Sequence, residues 1–449
     1  MKMANAPQGL ITSLNAIREM SVQNGTAYHQ YIPVLTSTSD ISVLQSAVLN
    51  TPVVMNEFVS QLVNRIIYTQ FENKYFNNPL RILEGDSIPL GYAGQEIYVN
   101  PAKARKFNID DFAGLLVKYE ADVKVQYTQV NSDLQYPVTI TRSKLKQAFV
   151  SWDALERFIS EISQSLYNGA YINDYNFTKG LVTSAYSTNQ VKVEVVSAPT
   201  TEALAKTFSV TARTLFLNMQ APSNAYNAWE QVGGYGRPVM TWTEPSNIVF
   251  LIRNDVLAYI DVMSLANAFN IDRASLMGQI IPVNNFDVYN DDGTKKLDGS
   301  NIIGMIADRT WFRIKEQDRF LDEFYNPNNR TWQYYLNVTK MFNYSLFSNA
   351  ICLATQAPSV NITSMSFDST TLTATEGDDP IEVHVTTNPY PANQTITYTS
   401  SASGVATVAA KTGDNKTAVI TIVGDGTATI TATAGNVTAT ASLTVAAAS

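Results

Sequence analysis

Residues 151–186 read SWDALERFISEISQSLYNGAYINDYNFTKGLVTSAY, and no other stretch restricts the fold as much. Leu155, Phe158, Ile159, Ile162, Leu166 and Ala170 recur at helical spacing, and Ser151 with Asp153 supplies a start signal. As one helix the stretch would run about 50 Å at 1.5 Å per residue, longer than a compact domain's radius. A flat or elongated molecule accommodates such a rod better than a sphere does. Gly169 and Gly180 weaken continuity. Two ordinary core helices in tandem fit the same periodicity.

The second constraint is a break in composition near residue 356. From Gln356 onward there are seven acidic residues, two basic ones and no Trp, among abundant Thr, Ala and Val. TATITATA and VTATASLTV alternate with period two, the signature of strands with one face buried. Gly435-Asn436 between them suits a tight hairpin. IEVHVT and TITYTS add short strands, so residues 356–449 read as a separate small β-sandwich.

Before the break, helix and strand are mixed. NEFVSQLVNRIIYTQF puts Phe58, Val59, Leu62, Val63, Ile66 and Ile67 on one helical face. NNPLRILEGDSIPLGYAGQEIYVNPAKARKFN is punctuated by Pro and Gly and reads as an elongated hairpin or loop. TEALAKTFSVTARTLFLNM and NDVLAYIDVMSLANAFN are helical, the latter capped by Asn254. SNIVFLI, IIPVNNFDVY and NIIGMIAD are strands. FLDEFYNPNNRTWQYYLNVTKMFNYSLF is two long strands about a turn at 326–329. Elements mixed in this way give an α+β class.

Chemistry is sparse. A net charge of −8 offers no basic field for nucleic acid, and Lys103-Ala-Arg105-Lys106 reads as a solvated turn. His29 and His384 have no metal-spaced neighbours. The phosphate-loop and nucleophile-elbow motifs do not occur. Gly233-Gly234-Tyr235-Gly236 runs on into extended chain and reads as a loop. DVYNDDGTKKLD, from Asp287, departs from a calcium loop at its third and sixth positions and reads as a polar hairpin connection. The adjacent pairs Asp110-Asp111 and Asp378-Asp379 point apart rather than cooperate. Cys352, the single cysteine, sits in apolar SNAICLAT and reads as a buried hydrophobe. Catalytic, cofactor and metal sites are therefore not expected. The N-terminus lacks a secretory pattern and no apolar run spans a bilayer, so assembly in the cytosol is expected.

Two stretches carry a resemblance. NNPLRILEGDSIPLGYAGQEIYVN (77–100), followed by LKQAFVSWDALERFISEISQSLYNGAYINDYNFTKGLV (145–182), resembles the major capsid protein of small Salasvirus-type (Picovirinae) podophages. The likeness continues through VLAYIDVMSLANAFNIDR and WQYYLNV, and covers most of residues 30–355. ITYTSSASGVATV and GDGTATITATAGN resemble a bacterial immunoglobulin-like domain of group 2, with Tyr398 where that family commonly has Trp.

The resemblance implies the Hong Kong 97 capsid fold. Its parts would be an N-terminal arm over 1–77, an extended loop over 78–140, a peripheral domain with spine helix over 141–200 and 313–355, an axial domain over 201–312, and the immunoglobulin-like domain over 356–449. It implies a structural protein whose copies form pentamers and hexamers of an icosahedral or prolate phage head, placed in the virion. Partners would be further copies of the chain, a scaffolding protein, a portal protein, packaged double-stranded DNA on the inner face, and glycans or host surface through the tail domain. Assembly-interface candidates are Ile88, Pro89, Leu90, Gly91 and Tyr92, then Glu96, Tyr98 and Arg105. The loops at Gly233, Gly234 and Gly236 and at Asn326 and Pro327 complete the set. A bacterial surface adhesin and a phage tail or fibre protein are the competing readings of the same tail.

Overall fold

The computed structural model describes residues 8–68, 76–89, 91, 94–105, 118–229, 238–264, 279–290, 292–389 and 391–448. They divide into two compact units. One comprises 1–94, 128–178 and 314–342, the other 95–127, 179–313 and 343–449.

In the first unit, helices Gln8–Gln23, Tyr28–Tyr31, Ile41–Asn50 and Pro52–Tyr68 lie against a three-stranded sheet. Its strand order is Phe312–Asn326, Thr331–Tyr344, Ser132–Thr141. Alternate residues Trp332, Tyr334, Leu336 and Val338 point to the helices, as period two requires. Phe58 packs between Tyr28 and Phe149, at ring centroid distances of 6.0 and 5.3 Å. The rest of its expected stripe, from Leu62, lies outside the described side chains.

The long helix is one element, Trp152–Ser187, 36 residues or about 54 Å. Ser151 caps it, its Oγ accepting from Ala154 N at 3.2 Å. Both glycines are there for close approach: a Cβ on Gly169 would stand 3.2 Å from the Tyr136 ring, and one on Gly180 3.3 Å from Val288. The tandem-helix reading therefore gives way to a single rod that thins where neighbours press on it.

The second unit holds a five-stranded sheet in the order Lys192–Val195, Ala350–Ala354, Ile302–Asp308, Ile248–Arg253, Gln279–Val283. Helices Glu202–Asn218 and Asn254–Ser264 share its core. This sheet takes in strands on both sides of 201–312: Ile351 pairs with Lys192 and Ala350 with Ala307. Cys352 is fully buried in the second of these strands, where burial pushes its thiol well up. Strands Val288–Tyr289 and Lys295–Leu297 pair as the expected small hairpin, with Val288 opposite Leu297.

Residues 364–446 form a β-sandwich within the same unit. One sheet runs Ser364–Phe367, Ile381–Asn388, Asp414–Ile422, Ala406–Lys411, and the other Thr371–Thr375, Val437–Ala446, Gly426–Ala434, Thr397–Ser400. Val385, Ile420, Ile430 and Leu443 meet in its core, while the threonines of the last two strands face outward. The closing turn has Gly435 at φ +58°; Asn436 does not share that region, so the turn needs positive φ once rather than twice.

Candidate assembly surfaces

Strands Gly94–Val99 and Val123–Thr128 pair as a two-stranded ribbon. Glu96, Tyr98 and Gln126 are turned into its own unit, while Gln95 is exposed. Glu96 pairs with Arg313 and accepts from Ser345 Oγ at 2.8 Å. Tyr98 donates to the Met240 carbonyl and stacks on Phe347 at 5.7 Å. Gln126 donates to Tyr344 O and accepts from Leu346 N, both at 2.8 Å. Asn100 beyond the strand end donates to Pro238 O at 3.0 Å and accepts from Met240 N at 3.0 Å.

Alternation then forces the apolar residues outward. Ile97, Val99, Val123 and Tyr127 are 57%, 53%, 48% and 73% exposed. An isolated two-stranded ribbon is marginal in water, and one with its apolar face in solvent is more so. Of the sequence candidates, Glu96 and Tyr98 are thus engaged inside the chain. The residues on the free face are their odd-numbered neighbours, which sequence reasoning missed. VKVQY alternates apolar and polar residues, and IYV sets Ile97 and Val99 on one side with Tyr98 on the other, but parity alone does not say which face is free.

A second exposed apolar patch lies on the long hairpin of the first unit. Phe320 and Phe324 are about half exposed on the strand that ends at Asn326. Asn326 Oδ1 accepts from Asn328 N at 3.0 Å, Pro327 is exposed, and Arg330 takes the turn's positive φ of 53°.

The extended segment is rooted in the first unit. Gly85 N donates to Ile314 O at 2.8 Å and Ile88 N to Glu316 O at 2.9 Å, while Pro89 O accepts from Gln317 at 3.0 Å. Ile88 is buried there. Gly91 has φ +76°, a conformation glycine adopts without strain. Arg105 lies over the Tyr119 ring, 5.8 Å from its centroid, and both are exposed. Leu90, Tyr92, Gly233, Gly234 and Gly236 lie outside the described residues.

Beside the root is a charged cluster. Lys340, its side chain 3% exposed, reaches Asp174 at 2.7 Å, Glu84 at 3.0 Å and Glu316 at 3.5 Å. Arg319 holds Glu316 through two bonds, at 2.7 and 3.0 Å. Burial pulls the Lys340 ammonium down, yet Asp174 and Glu84 outweigh it and keep it above its usual range. Burial likewise pushes Glu316 up, and Arg319 with Lys340 reverses that to below the carboxylate norm. Asp174 is raised, because burial exceeds what Lys340 returns.

The histidines sit apart from any such cluster. His29 Nδ1 is 3.1 Å from Ser21 Oγ, and buried His384 Nδ1 is 3.0 Å from Thr417 Oγ1. Among the described residues no group of three His, Cys, Asp or Glu could hold a metal ion, and no helix is long and apolar enough to cross a membrane.

Comparison with known proteins gives a consistent set. Residues 14–354 match the family described as Phi29-like phage major capsid protein. The chain is 28% identical over 346 residues to the major capsid protein of Bacillus phage B103, covering 76% of this chain and 72% of that protein. It is 26% identical over 341 residues to the major capsid protein of Streptococcus phage Cp-1, covering 69% and 88% respectively. Among solved structures, a chain in the capsid structure of Staphylococcus phage Andhra superposes with a TM-score of 0.52 at 15% identity, over 65% of this chain and 87% of that one. At that identity the likeness is one of fold. The family match stops at residue 354, next to the break in composition.

Proposed function

The chain belongs to the Phi29-like phage major capsid protein family, and from that premise we propose how its parts build a shell. As a phage major capsid protein its place is the virion shell, formed with further copies of itself. The adhesin and fibre readings are not favoured by that match.

In this proposal the body has the Hong Kong 97 layout. Residues 1–77 form the arm, 78–140 the extended loop, 141–200 and 313–355 the peripheral region, and 201–312 the axial region, whose sheet also takes in 192–195 and 350–354. Copies close into pentamers and hexamers with the help of a scaffolding protein, around a portal, and DNA meets the inner face without sequence preference. The observation that carries the reading is the ribbon's inverted polarity. A ribbon with Glu96, Tyr98 and Gln126 turned inward and Ile97, Val99, Val123 and Tyr127 outward is a surface left for a neighbouring copy to cover. Exposed Phe320 and Phe324 are a second such surface.

Electron microscopy of the full chain expressed with its scaffolding protein tests this: closed shells are the expected product. A chain that stays monomeric across protein concentrations, folded by circular dichroism, would contradict it.

The sandwich over 356–449 is read as an immunoglobulin-like domain on the outer shell, where weak glycan or host-surface contacts multiply over many copies. Its attachment supports a second role as a brace. Asn189 at the end of the long helix donates to Pro391 O, and Tyr186 to Gln356 O, each at 2.6 Å. Deleting 356–449 separates the two: lost assembly or heat resistance marks a brace, and normal particles with weaker surface retention mark adhesion.

A further inference from the structure

The cluster around Lys340 joins three segments that are distant in sequence. Glu84 caps the short turn Pro79–Leu83 at the root of the extended segment. Asp174 lies on the long helix, and Glu316 on the first strand of the long hairpin. Lys340 comes from the hairpin's second strand. Lys340 donates to Asp174 and Glu84, and Glu316 stands at 3.5 Å as a longer ion pair, so three carboxylates surround one ammonium.

A buried ion network is a poor device for stability alone. Desolvation consumes most of the attraction, and apolar side chains of equal volume do as well. What such a network supplies is a fixed geometry between the groups that carry its charges. Here a cavity of about 200 Å³ opens beside Lys340, walled by these ions with Arg81 and Tyr171. Beside this cavity the charges hold the root, while Leu83 and Ile88, on either side of Glu84 and Gly85, are buried by packing. The root's backbone is also tied to the strand Phe312–Asn326 through the Gly85 and Ile88 amides and the Pro89 carbonyl.

We propose that Lys340 is a positioning residue for assembly: a three-way ionic joint that seats the root of the extended segment, residues 84–89, between the long helix and the long hairpin. The inference rests on the reading that this segment carries the surface a neighbouring copy covers, and the test keeps the two apart.

The readouts are amide hydrogen exchange of the free subunit in peptides covering 84–89, and shell yield with scaffolding protein. Glu84→Gln alone, at the cluster's most open edge but one, should raise exchange at Gly85 and Ile88 by about tenfold, the effect of losing one charged hydrogen bond. The neutralised combination Lys340→Met, Asp174→Asn and Glu84→Gln should melt close to the unaltered chain, exchange faster still, and lower shell yield by a similar factor. Lys340→Arg, for which the cavity has room, should keep both readouts near the original. Unchanged exchange in Glu84→Gln and in the combination overturns the joint, whatever the yield. Faster exchange with full yield overturns the positioning role, and with it the reading of the segment as a contact limb. Should the combination not fold, Glu84→Gln and Lys340→Arg decide by the same two readouts.

Discussion

Replacing Ile97, Val99 and Val123 together by Thr should leave the subunit intact and stop it assembling. Thr keeps the β-branch, so the ribbon's own strand preference is retained. Inside the free subunit little is lost, because all three side chains are about half exposed already. In a shell the exposed half would be covered. Full burial of such a side chain is worth about 1.5–3 kcal/mol, so the second half is worth roughly 1 kcal/mol each and about 3 kcal/mol for the three. Threonine forfeits most of this and adds hydroxyls that need partners. At 1.4 kcal/mol per factor of ten, each contact weakens by about a hundredfold, and the protein concentration needed for shells rises at least as much. The assay is sedimentation and electron microscopy at the concentration where the unaltered chain just assembles, with thermal melting of the free subunit alongside. Glu96→Gln is the control of opposite parity. It disturbs the bonds to Arg313 and Ser345, so it should lower the melting temperature of the free subunit, at a cost of about 1–3 kcal/mol. Shell yield from the triple variant within twofold of the original would refute the reasoning.

Two further outcomes follow from single sites. Gly304→Ala should destabilise the second unit by about 1–3 kcal/mol, read as a shift in denaturant midpoint, since its Cβ would stand 2.6 Å from Leu251 O and 3.0 Å from the Phe250 ring in the next strand. His384 should make the sandwich acid-sensitive. Burial lowers its folded-state pKa below the unfolded 6.5, so the unfolded chain takes up the proton more readily, and the stabilisation present above that pH is lost as pH falls through it. Melting across pH 7 to 5 should show the decline, and His384→Gln should flatten it.

What the sequence made legible, and what it withheld, follows from how far apart the deciding residues lie. The long helix and the sandwich strands are written locally: periodicity of 3.6 from Leu155 to Ala170, and alternation of two from Thr427 to Val445. Gly169 and Gly180 misled because a glycine in a helix weakens it in isolation; Tyr136 and Val288, which press on those positions, are 33 and 108 residues distant. The edge pairing of the five-stranded sheet had no local signal, because it joins residues 192 and 351. Lys340 gave no signal at all, because its partners Asp174 and Glu84 are 166 and 256 residues away.

The ribbon is the more instructive case. The usual rule for a half-buried sheet is that apolar side chains face the core and polar ones face water. That rule assumes the folding unit is the single chain. For a subunit whose final environment includes its neighbours, water is the wrong reference for one face. The face that leans on the chain's own body can then be the polar one, provided its groups are bonded as Glu96, Tyr98 and Gln126 are. Glu96 and Tyr98 are engaged inside the chain, and the apolar residues Ile97 and Val99 of the same strand are the exposed ones. On this proposal the exposed apolar parity of the ribbon, Ile97 and Val99 on one strand and Val123 and Tyr127 on the other, is the face for the next copy, and the triple threonine variant is its test.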